Sequence, residues 1–237
     1  MFRYKGIGKV FVNAVLVALI SILYMATSTP IAQSAVGELY NSPVYRGHEE
    51  GVVGFECAVS WNAAALAELL EILRENNLRI TFIVSGEWAE ENSEQLLKMV
   101  QDGHEIGTMG QEPMQDGNAG FLLADISRSL KSIYEAAGVY AKLYYSGDRA
   151  LKGSTQAAAK LGLKHILCTT DLLSGRGNAS DIINRALDKP FDGTILLIQP
   201  TAEAIKAMPK CIEGLGKLGF RLVTVSEALG EYKQRIV

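Results

Sequence analysis

The stretch NNLRITFIVSGEWAEENSEQLLKMVQDGHEIGTMG, residues 76–110, decides the fold. Its run RITFIVS (79–85) is apolar, β-branched and of strand length, so it predicts a buried strand. The residues from 87 to 102 place apolar side chains at helical spacing, and Gly103 follows them as a residue suited to a left-handed helix end. A second strand is predicted at 104–108. This strand–helix–strand order is typical of a parallel sheet covered by helices.

The same alternation continues on both sides of this stretch. Before it, a strand is predicted at 51–59 and a helix at 63–74. After it, the predicted strands are 141–145, 165–168, 194–198 and 221–225, and the predicted helices are 122–137, 154–161, 181–187, 202–218 and a terminal helix from Glu227. Roughly seven β/α units result, which predicts an α/β fold. Alternation alone does not choose between a barrel and an open doubly wound sheet.

The first 35 residues have the pattern of an export signal. Arg3, Lys5 and Lys9 precede an apolar run at residues 10–25, and a small and polar stretch follows it. The run is shorter than the roughly 20 apolar residues of a relaxed transmembrane helix. Both a cleaved signal peptide and an uncleaved membrane anchor fit residues 1–35, and either one predicts an extracytoplasmic protein. Residues 36–50 read as a linker or edge segment, and residues 51–237 as one globular domain.

Composition excludes several classes of protein. The hydrophobic content of 48% supports one large core, and the net charge is −3 with no cluster of Lys or Arg beyond the amino terminus, so nucleic acid is not an expected partner. Cys57, Cys168 and Cys211 are odd in number and form no C-x-x-C pair, so we expect free structural thiols rather than disulfides. No glycine-rich phosphate loop follows the first strand.

Several motifs resemble those of the NodB-type polysaccharide deacetylases, carbohydrate esterase family four. Residues 76–110 with their G-H-E-I-G segment resemble this family most specifically, and the similarity extends over roughly residues 44–230. PVYRG (43–47) and GFRLVTVSEAL (219–229) resemble its sporulation-associated branch. The resemblance implies a distorted (β/α)7 barrel after the hydrophobic signal or anchor. It also implies hydrolysis of N-acetyl groups on chitin-like or peptidoglycan sugars with a divalent metal such as zinc.

The family's catalytic residues are replaced at the positions that the resemblance assigns. The family holds its metal with one Asp and two His, and uses a second Asp as base and a His as acid. When the first motif is aligned on Ser60-Trp61, its Asp falls on Ala58; the two metal-binding His fall on Met109 and Pro113, and the acid His falls on Gln199. None of these side chains can perform those roles. The resemblance therefore implies a pseudoenzyme with no bound metal.

A second register leaves catalysis open. If Gly54–Cys57 is aligned with the commoner T-F-D-D pattern, Glu56 becomes the base and Cys57 a metal ligand, with Asp171 or His104 recruited beside them. This register predicts an active N-deacetylase of acetylated amino-sugar polymers. It abandons the match at Ser60-Trp61.

Other residues are candidates for a binding groove. In such a fold the site lies at the carboxyl ends of the strands. The R-P-P-[YT]-G motif of the family falls on residues 144–147, where only the glycine is retained. The candidates for contact with a ligand are Trp61, His104, Tyr144, Tyr145, Arg149 and Gln199, the aromatic ones by stacking on sugar rings. The expected partners are cell-wall or spore glycan or an envelope protein, together with the membrane through the amino-terminal segment.

Overall fold

A computed structural model describes residues 42–59, 65–113, 117–147 and 152–231, together with residues 13, 15–17 and 19–20. The chain divides into two compact units, Met1–Ser42 and Pro43–Val237, and the fold below is that of the second unit. The predicted signal or anchor at 10–25 lies mostly outside the described residues. Within the ranges given above, no helix is both long and apolar enough to cross a membrane.

Eight strands and eight helices alternate along the described part of the second unit. The strands are β1 (Val52–Val59), β2 (Thr81–Val84), β3 (Glu105–Thr108), β4 (Leu143–Tyr145), β5 (Lys164–Ile166), β6 (Thr170–Asp171), β7 (Ile195–Ile198) and β8 (Arg221–Val223). The helices are α1 (Leu66–Glu75), α2 (Gly86–Glu91), α3 (Ser93–Gln101), α4 (Ala119–Ala137), α5 (Lys152–Lys160), α6 (Ala179–Leu187), α7 (Ala202–Lys217) and α8 (Val225–Ala228).

The strands form one parallel sheet with β1 at its centre. The strand order is β5-β4-β3-β2-β1-β7-β6, and β8 pairs with the beginning of β1. On one edge of β1, Val52–Gly54 pair with β8 and Glu56–Val59 pair with β2; on the other edge, Gly54–Cys57 pair with β7. Because every strand pair is parallel, the carboxyl ends of the strands meet at one edge of the sheet.

The sheet is a curled half-barrel rather than a closed ring. Among the described strands, β5 and β6 stand at the two ends of the order, and they are only three and two residues long. Residues 43–48 lie beside this opening. Val44 bridges Ile166 of β5, and Arg46 bridges Thr194 just before β7. The family resemblance implied a distorted barrel. The parallel, curled sheet agrees with that expectation, but the strands do not close into a seven-stranded ring.

Two layers of apolar side chains enclose the sheet. Phe55 and Cys57 of β1 are fully buried in the outer core, where the sheet packs against the helices. Ala58 packs instead against a second cluster, which fills the concave interior. That cluster consists of Ile83, Met109, Leu143, Tyr145, Ile166, Leu167, Ile195, Leu197 and Val225. Since side chains alternate along a strand, Glu56 faces the interior with Ala58.

Two elements differ from the sequence predictions. The helix predicted at 87–102 is divided into α2 and α3 at Asn92, whose side-chain amide donates to the Trp88 carbonyl at 2.9 Å and so competes with helical bonding. The strand β6 lies where a loop was predicted, because two residues are too few to show a period. Cys57, Cys168 and Cys211, all within the described residues, form no disulfide, as predicted.

Candidate functional site

The candidate site lies at the carboxyl edge of the sheet. The described residues there belong to the loops after β3, β4, β6 and β7. Two predicted groove residues, Trp61 and Arg149, lie outside the described residues.

The positions that the resemblance assigns to metal ligands carry no metal donor of the family's kind. Ala58 and Met109 pack in the apolar interior, and Pro113 follows in the loop after β3. A methyl group and a proline ring have no donor atom, and a thioether sulfur is a poor ligand for zinc. Throughout the described ranges, no group of three or more His, Cys, Asp or Glu side chains is arranged to hold a metal ion. The divalent metal of the family therefore does not fit these residues.

Hydrogen bonds within the protein hold the loop after β3 in place. The backbone N–H of Gln111 donates to Asp125 Oδ2 on α4 at 3.0 Å, and its side-chain amide donates to Glu90 Oε1 at 3.1 Å. Gly110 has φ +97, and a Cβ there would lie 2.2 Å from Asp125 Oδ2. The N–H of Gly86, at the start of α2, donates to the Gly110 carbonyl at 3.0 Å. The loop that would carry the family's histidines is thus fixed without a metal.

The sequence did not identify Gln111 and Asp125 as part of this site. Burial raises the pKa of Asp125, and the two backbone N–H donors of the loop oppose that rise. Asp125 belongs to α4, so only the packing of α4 against the loop reveals its role. Gly110 followed by Gln111, directly after β3, is the sequence signal that could have predicted a fixed turn here.

Gln199, which stands where the family has its acid, is exposed at the end of β7. Its backbone N–H donates to Ser174 Oγ at 2.6 Å. A Cβ on Gly175 would lie 2.7 Å from Gln199 Oε1, so the amide side chain lies against the loop after β6. An amide in this position can donate or accept a hydrogen bond but cannot deliver a proton.

Glu56 lies in one row of paired positions that crosses five strands. Its Cα partners are Leu197 on β7 and Thr81 on β2. Leu197 in turn pairs with Asp171, and Thr81 with Glu105. Because paired residues of neighbouring strands share a face, three carboxyl groups belong to the row that faces the interior.

Glu56 is the least satisfied member of this row. It is fully buried, and neither of its carboxyl oxygens has a hydrogen-bond partner in the described part of the chain. Burial, and to a lesser extent the charges of Glu105 and Asp171, raise the pKa of Glu56 to about 8. By contrast, Glu105 Oε2 accepts from Thr81 Oγ1 at 2.6 Å and from the Ser226 N–H at 3.1 Å. At neutral pH Glu56 is therefore mainly protonated and out of contact with solvent.

Cys57 does not join Glu56 at a common site. Its side chain is buried on the opposite, helix-facing side of β1, and both residues lie in regular pairing with β2. Burial raises the pKa of the Cys57 thiol far above its usual range, so the thiolate that binds metals is not formed. The second register of the sequence analysis needs both residues at the carboxyl edge, and the geometry separates them.

The remaining candidates are dispersed. Tyr144 is buried in a small cluster with α4 and α5, whereas Tyr145 faces the interior. Asp171 Oδ1 accepts from the Leu173 N–H at 2.8 Å, which is a local turn contact. His104 precedes β3 and so lies at the amino edge, opposite Gln199. Asp171 at the end of β6 and Gln199 after β7 therefore both lie at the carboxyl edge of the sheet, whereas His104 does not.

His165 is a further buried histidine, in β5. Its Nδ1 lies 2.9 Å from Thr155 Oγ1, and its Nε2 lies 2.8 Å from Ser146 Oγ. Burial lowers the pKa of His165 to about 4, so the ring is neutral. It joins β5 to α5 and to the loop after β4, which is a structural role.

Comparison with known proteins supports this description. A family model described as polysaccharide deacetylase matches residues 56–166. The uncharacterized protein YlxY of Bacillus subtilis (strain 168) is 25% identical over 198 residues, which cover 81% of this chain and 62% of YlxY. A bifunctional xylanase/deacetylase of Pseudobutyrivibrio xylanivorans is 27% identical over 175 residues, which cover 70% of this chain and 28% of that protein. The chain thus spans less than two thirds of the length of either curated relative.

Solved structures share the fold. Wild-type BA3943 from Bacillus anthracis, a CE4 family pseudoenzyme, has a TM-score of 0.75 at 23% identity, over 81% of this chain and 70% of its own. A BA3943 mutant with restored enzymatic activity has a TM-score of 0.76 at 22% identity, over 81% and 72%. The Bc1960 peptidoglycan N-acetylglucosamine deacetylase has a TM-score of 0.76 at 20% identity, over 85% and 98%. At these identities the likeness concerns the fold.

Fold and site together describe a polysaccharide deacetylase-like protein with apolar side chains at the three positions that the resemblance assigns to metal ligands. Residues 56–166 match the polysaccharide deacetylase family model, and the fold is similar to that of a CE4 pseudoenzyme.

Proposed function

We propose that this chain is a non-catalytic member of the polysaccharide deacetylase family that binds amino-sugar glycan of the cell envelope at the carboxyl edge of its half-barrel. The observation that carries the proposal is the replacement of the family's donors by Ala58, Met109 and Pro113, and of its acid by Gln199. The matching fold of a CE4 pseudoenzyme supports it.

Two features of the sequence support the proposed location and the proposed glycan. The basic and apolar segment at 1–35 supports export, with residues 10–25 as the membrane-inserting part. The similarity of residues 43–47 and 219–229 to the sporulation-associated branch supports spore or cell-wall glycan as the ligand. We propose a protein that remains outside the cytoplasm, secreted or tethered to the membrane.

The hydrolytic alternative depends on Glu56 as base. A general base must be ionised and within reach of the attacking water. A buried carboxyl with a pKa of about 8 meets neither condition at neutral pH. The alternative therefore has weaker support than the binding function.

Two measurements on the full-length chain test the proposal. Titration calorimetry with zinc and cobalt is expected to show no tight binding, and N-acetylated chitooligosaccharide and peptidoglycan are expected to release no acetate. Tight metal binding together with turnover would refute the loss of catalysis. Metal binding without turnover would show that the site can hold a metal ion after all. Glycan binding would then be decided by the retention measurement.

Glycan binding is measured by retention on insoluble peptidoglycan and chitin. Trp61→Ala is expected to lose retention, because Trp61 follows β1 by two residues in the sequence and an aromatic ring is suited to stacking on a sugar. Tyr140→Ala is the matched control, since Tyr140 is an aromatic residue with 76% exposure in the loop before β4, at the amino edge. If the wild type is not retained on either glycan, the glycan proposal is wrong and an envelope protein becomes the expected partner.

A further inference from the structure

A cleft of about 350 Å³ lies at the amino edge of the sheet, where α1 and α3 end and β2, β3 and β8 begin or pass. Its polar lining includes Arg74, Asn77, Arg79, Asp102, His104 and Arg221. The proposed glycan site lies at the opposite ends of the strands. The two sites are therefore distinct, and a ligand could bind in the cleft whether or not the carboxyl edge binds glycan.

Arg79 is the first donor in this cleft. Its side chain lies over Gly103, where a Cβ would be only 2.9 Å from Arg79 Nε. Gly103, with φ +81, thus ends α3 and also leaves room for the guanidinium. In contrast to Arg74, which is paired with Glu71, Arg79 has no ion pair or hydrogen bond with any described residue. A free planar guanidinium is suited to bind a carboxylate or phosphate.

His104 is the second donor. Its Nδ1 accepts a hydrogen bond from the Ile80 N–H at 3.2 Å, so the proton of the neutral ring is on Nε2. Burial is the main cause that lowers the pKa of His104 to about 4, so the ring is neutral at physiological pH and carries its single proton on Nε2. Nε2–H has no acceptor among the described residues, and the ring lines the cleft next to Arg79. It therefore offers a neutral N–H to a ligand.

Asp102 supplies an unsatisfied acceptor. Its Oδ2 is buried and has no hydrogen-bond partner within the described ranges. A buried acceptor without a donor is costly. The residue as a whole is half-buried and lines the cleft, so its carboxylate is available to a ligand hydroxyl. Inorganic phosphate has only its own P–OH groups, which belong to the anion bound by the two donors, whereas a hydroxylated anion carries a separate hydroxyl group that can donate to the carboxylate. The cleft therefore combines donors for an anion with an acceptor for a hydroxyl group.

We propose that the cleft binds an oxyanion carried on a hydroxylated carbon frame, such as a phosphate monoester of glycerol or a sugar. Arg79 and the Nε2–H of His104 bind the oxyanion. The Asp102 carboxylate accepts a hydrogen bond from a neighbouring hydroxyl group of the ligand. Arg74 and Arg221 also line the cleft, but each is in an ion pair, with Glu71 at 2.5 Å and with Glu227 at 3.8 Å, and Glu227 is itself a lining residue. Arg79 is therefore the arginine of the lining that is available to a ligand.

The test titrates the full-length chain with glycerol 3-phosphate, inorganic phosphate and glycerol, and follows binding by calorimetry. Glycerol 3-phosphate is expected to bind about tenfold more tightly than inorganic phosphate, because its hydroxyl group can also donate to the Asp102 carboxylate, and glycerol alone is expected not to bind. Arg79→Gln is expected to weaken binding of both phosphates by about tenfold or more. Lys160→Gln, which removes a positive charge on α5, is the matched control and is expected to have no effect.

Asp102→Ala tests the hydroxyl contact. It is expected to abolish the preference for glycerol 3-phosphate over inorganic phosphate, provided that thermal unfolding shows the variant to be folded. The proposal is overturned if no probe binds, or if the two phosphates bind equally to the wild type. Arg79→Gln changes an exposed side chain, so its result remains interpretable if Asp102→Ala does not fold.

A final comparison distinguishes the two sources of this chemistry. A glycerol-phosphate polymer of the cell wall and a small soluble ester present the same groups. Retention on immobilised poly(glycerol phosphate) that is lost in Arg79→Gln supports a polymer ligand. Binding of the monomer without retention on the polymer supports a soluble ester.

Discussion

Substitution of Glu56 by Gln changes the pH dependence of stability in a direction that the structure dictates. The pKa of Glu56 is about 8 in the folded chain, against an ordinary value of 4.5. Below pH 4.5 the carboxyl is protonated in both states, and it does not bias folding. Between pH 4.5 and 8 the unfolded chain releases the proton while the folded chain retains it, so folding loses stability as pH rises.

The magnitude follows from the difference between the two pKa values. At about 1.4 kcal/mol per pH unit, the cost to folding is roughly 3 kcal/mol at pH 7 and approaches roughly 5 kcal/mol above pH 8. Glu56→Gln removes this cost because the amide does not ionise. A buried, unpartnered amide is otherwise similar in cost to the neutral carboxyl, so the variant is expected to equal the wild type near pH 4.5 and to exceed it at pH 8.

Urea unfolding at pH 5 and pH 8 measures this difference in the free energy of unfolding. Glu135→Gln on α4 is the matched control; its side chain is 65% exposed and 3.6 Å from Lys131, so it is expected to change stability by less than about 0.5 kcal/mol at either pH. An equal effect of Glu56→Gln at both pH values, or a loss of stability at pH 8, would refute a protonated Glu56. Loss of acetate release in this variant would instead identify Glu56 as a base.

Three further predictions concern the carboxyl edge and the core. The combined substitutions Ala58→Asp, Met109→His and Pro113→His are expected to create zinc binding that the wild type lacks, measured by calorimetry; a folded triple variant without zinc affinity would show that the assigned register is wrong. Gly110→Ala is expected to destabilise the protein by about 1–3 kcal/mol in urea unfolding, since φ is +97 and a carboxylate of α4 blocks a Cβ; an unchanged midpoint would contradict this. Cys57 is expected to resist aromatic disulfide reagents until the protein unfolds, because it is fully buried and protonated; rapid labelling of native protein, located by mass spectrometry, would disprove it.

The sequence alone determined the order of the elements and predicted, through the resemblance, which positions lack the family's catalytic side chains. Hydrophobic periodicity and the glycine stop at residue 103 are local signals, so the strand and helix of residues 79–102 were predicted within a few residues. The presence of Met109 and Pro113 at the expected histidine positions was also predicted from the sequence, since a motif assigns roles by spacing along the chain.

Only the tertiary structure decided which side chains share an environment. Glu56, Glu105 and Asp171 belong to strands far apart in sequence, and their common row depends on the strand order and on the register of four strand pairs. The opposite facing of Glu56 and Cys57 likewise depends on β1 remaining regular through both residues. Burial, which raises the pKa of Glu56, is a property of the assembled layers and has no local signature in the sequence.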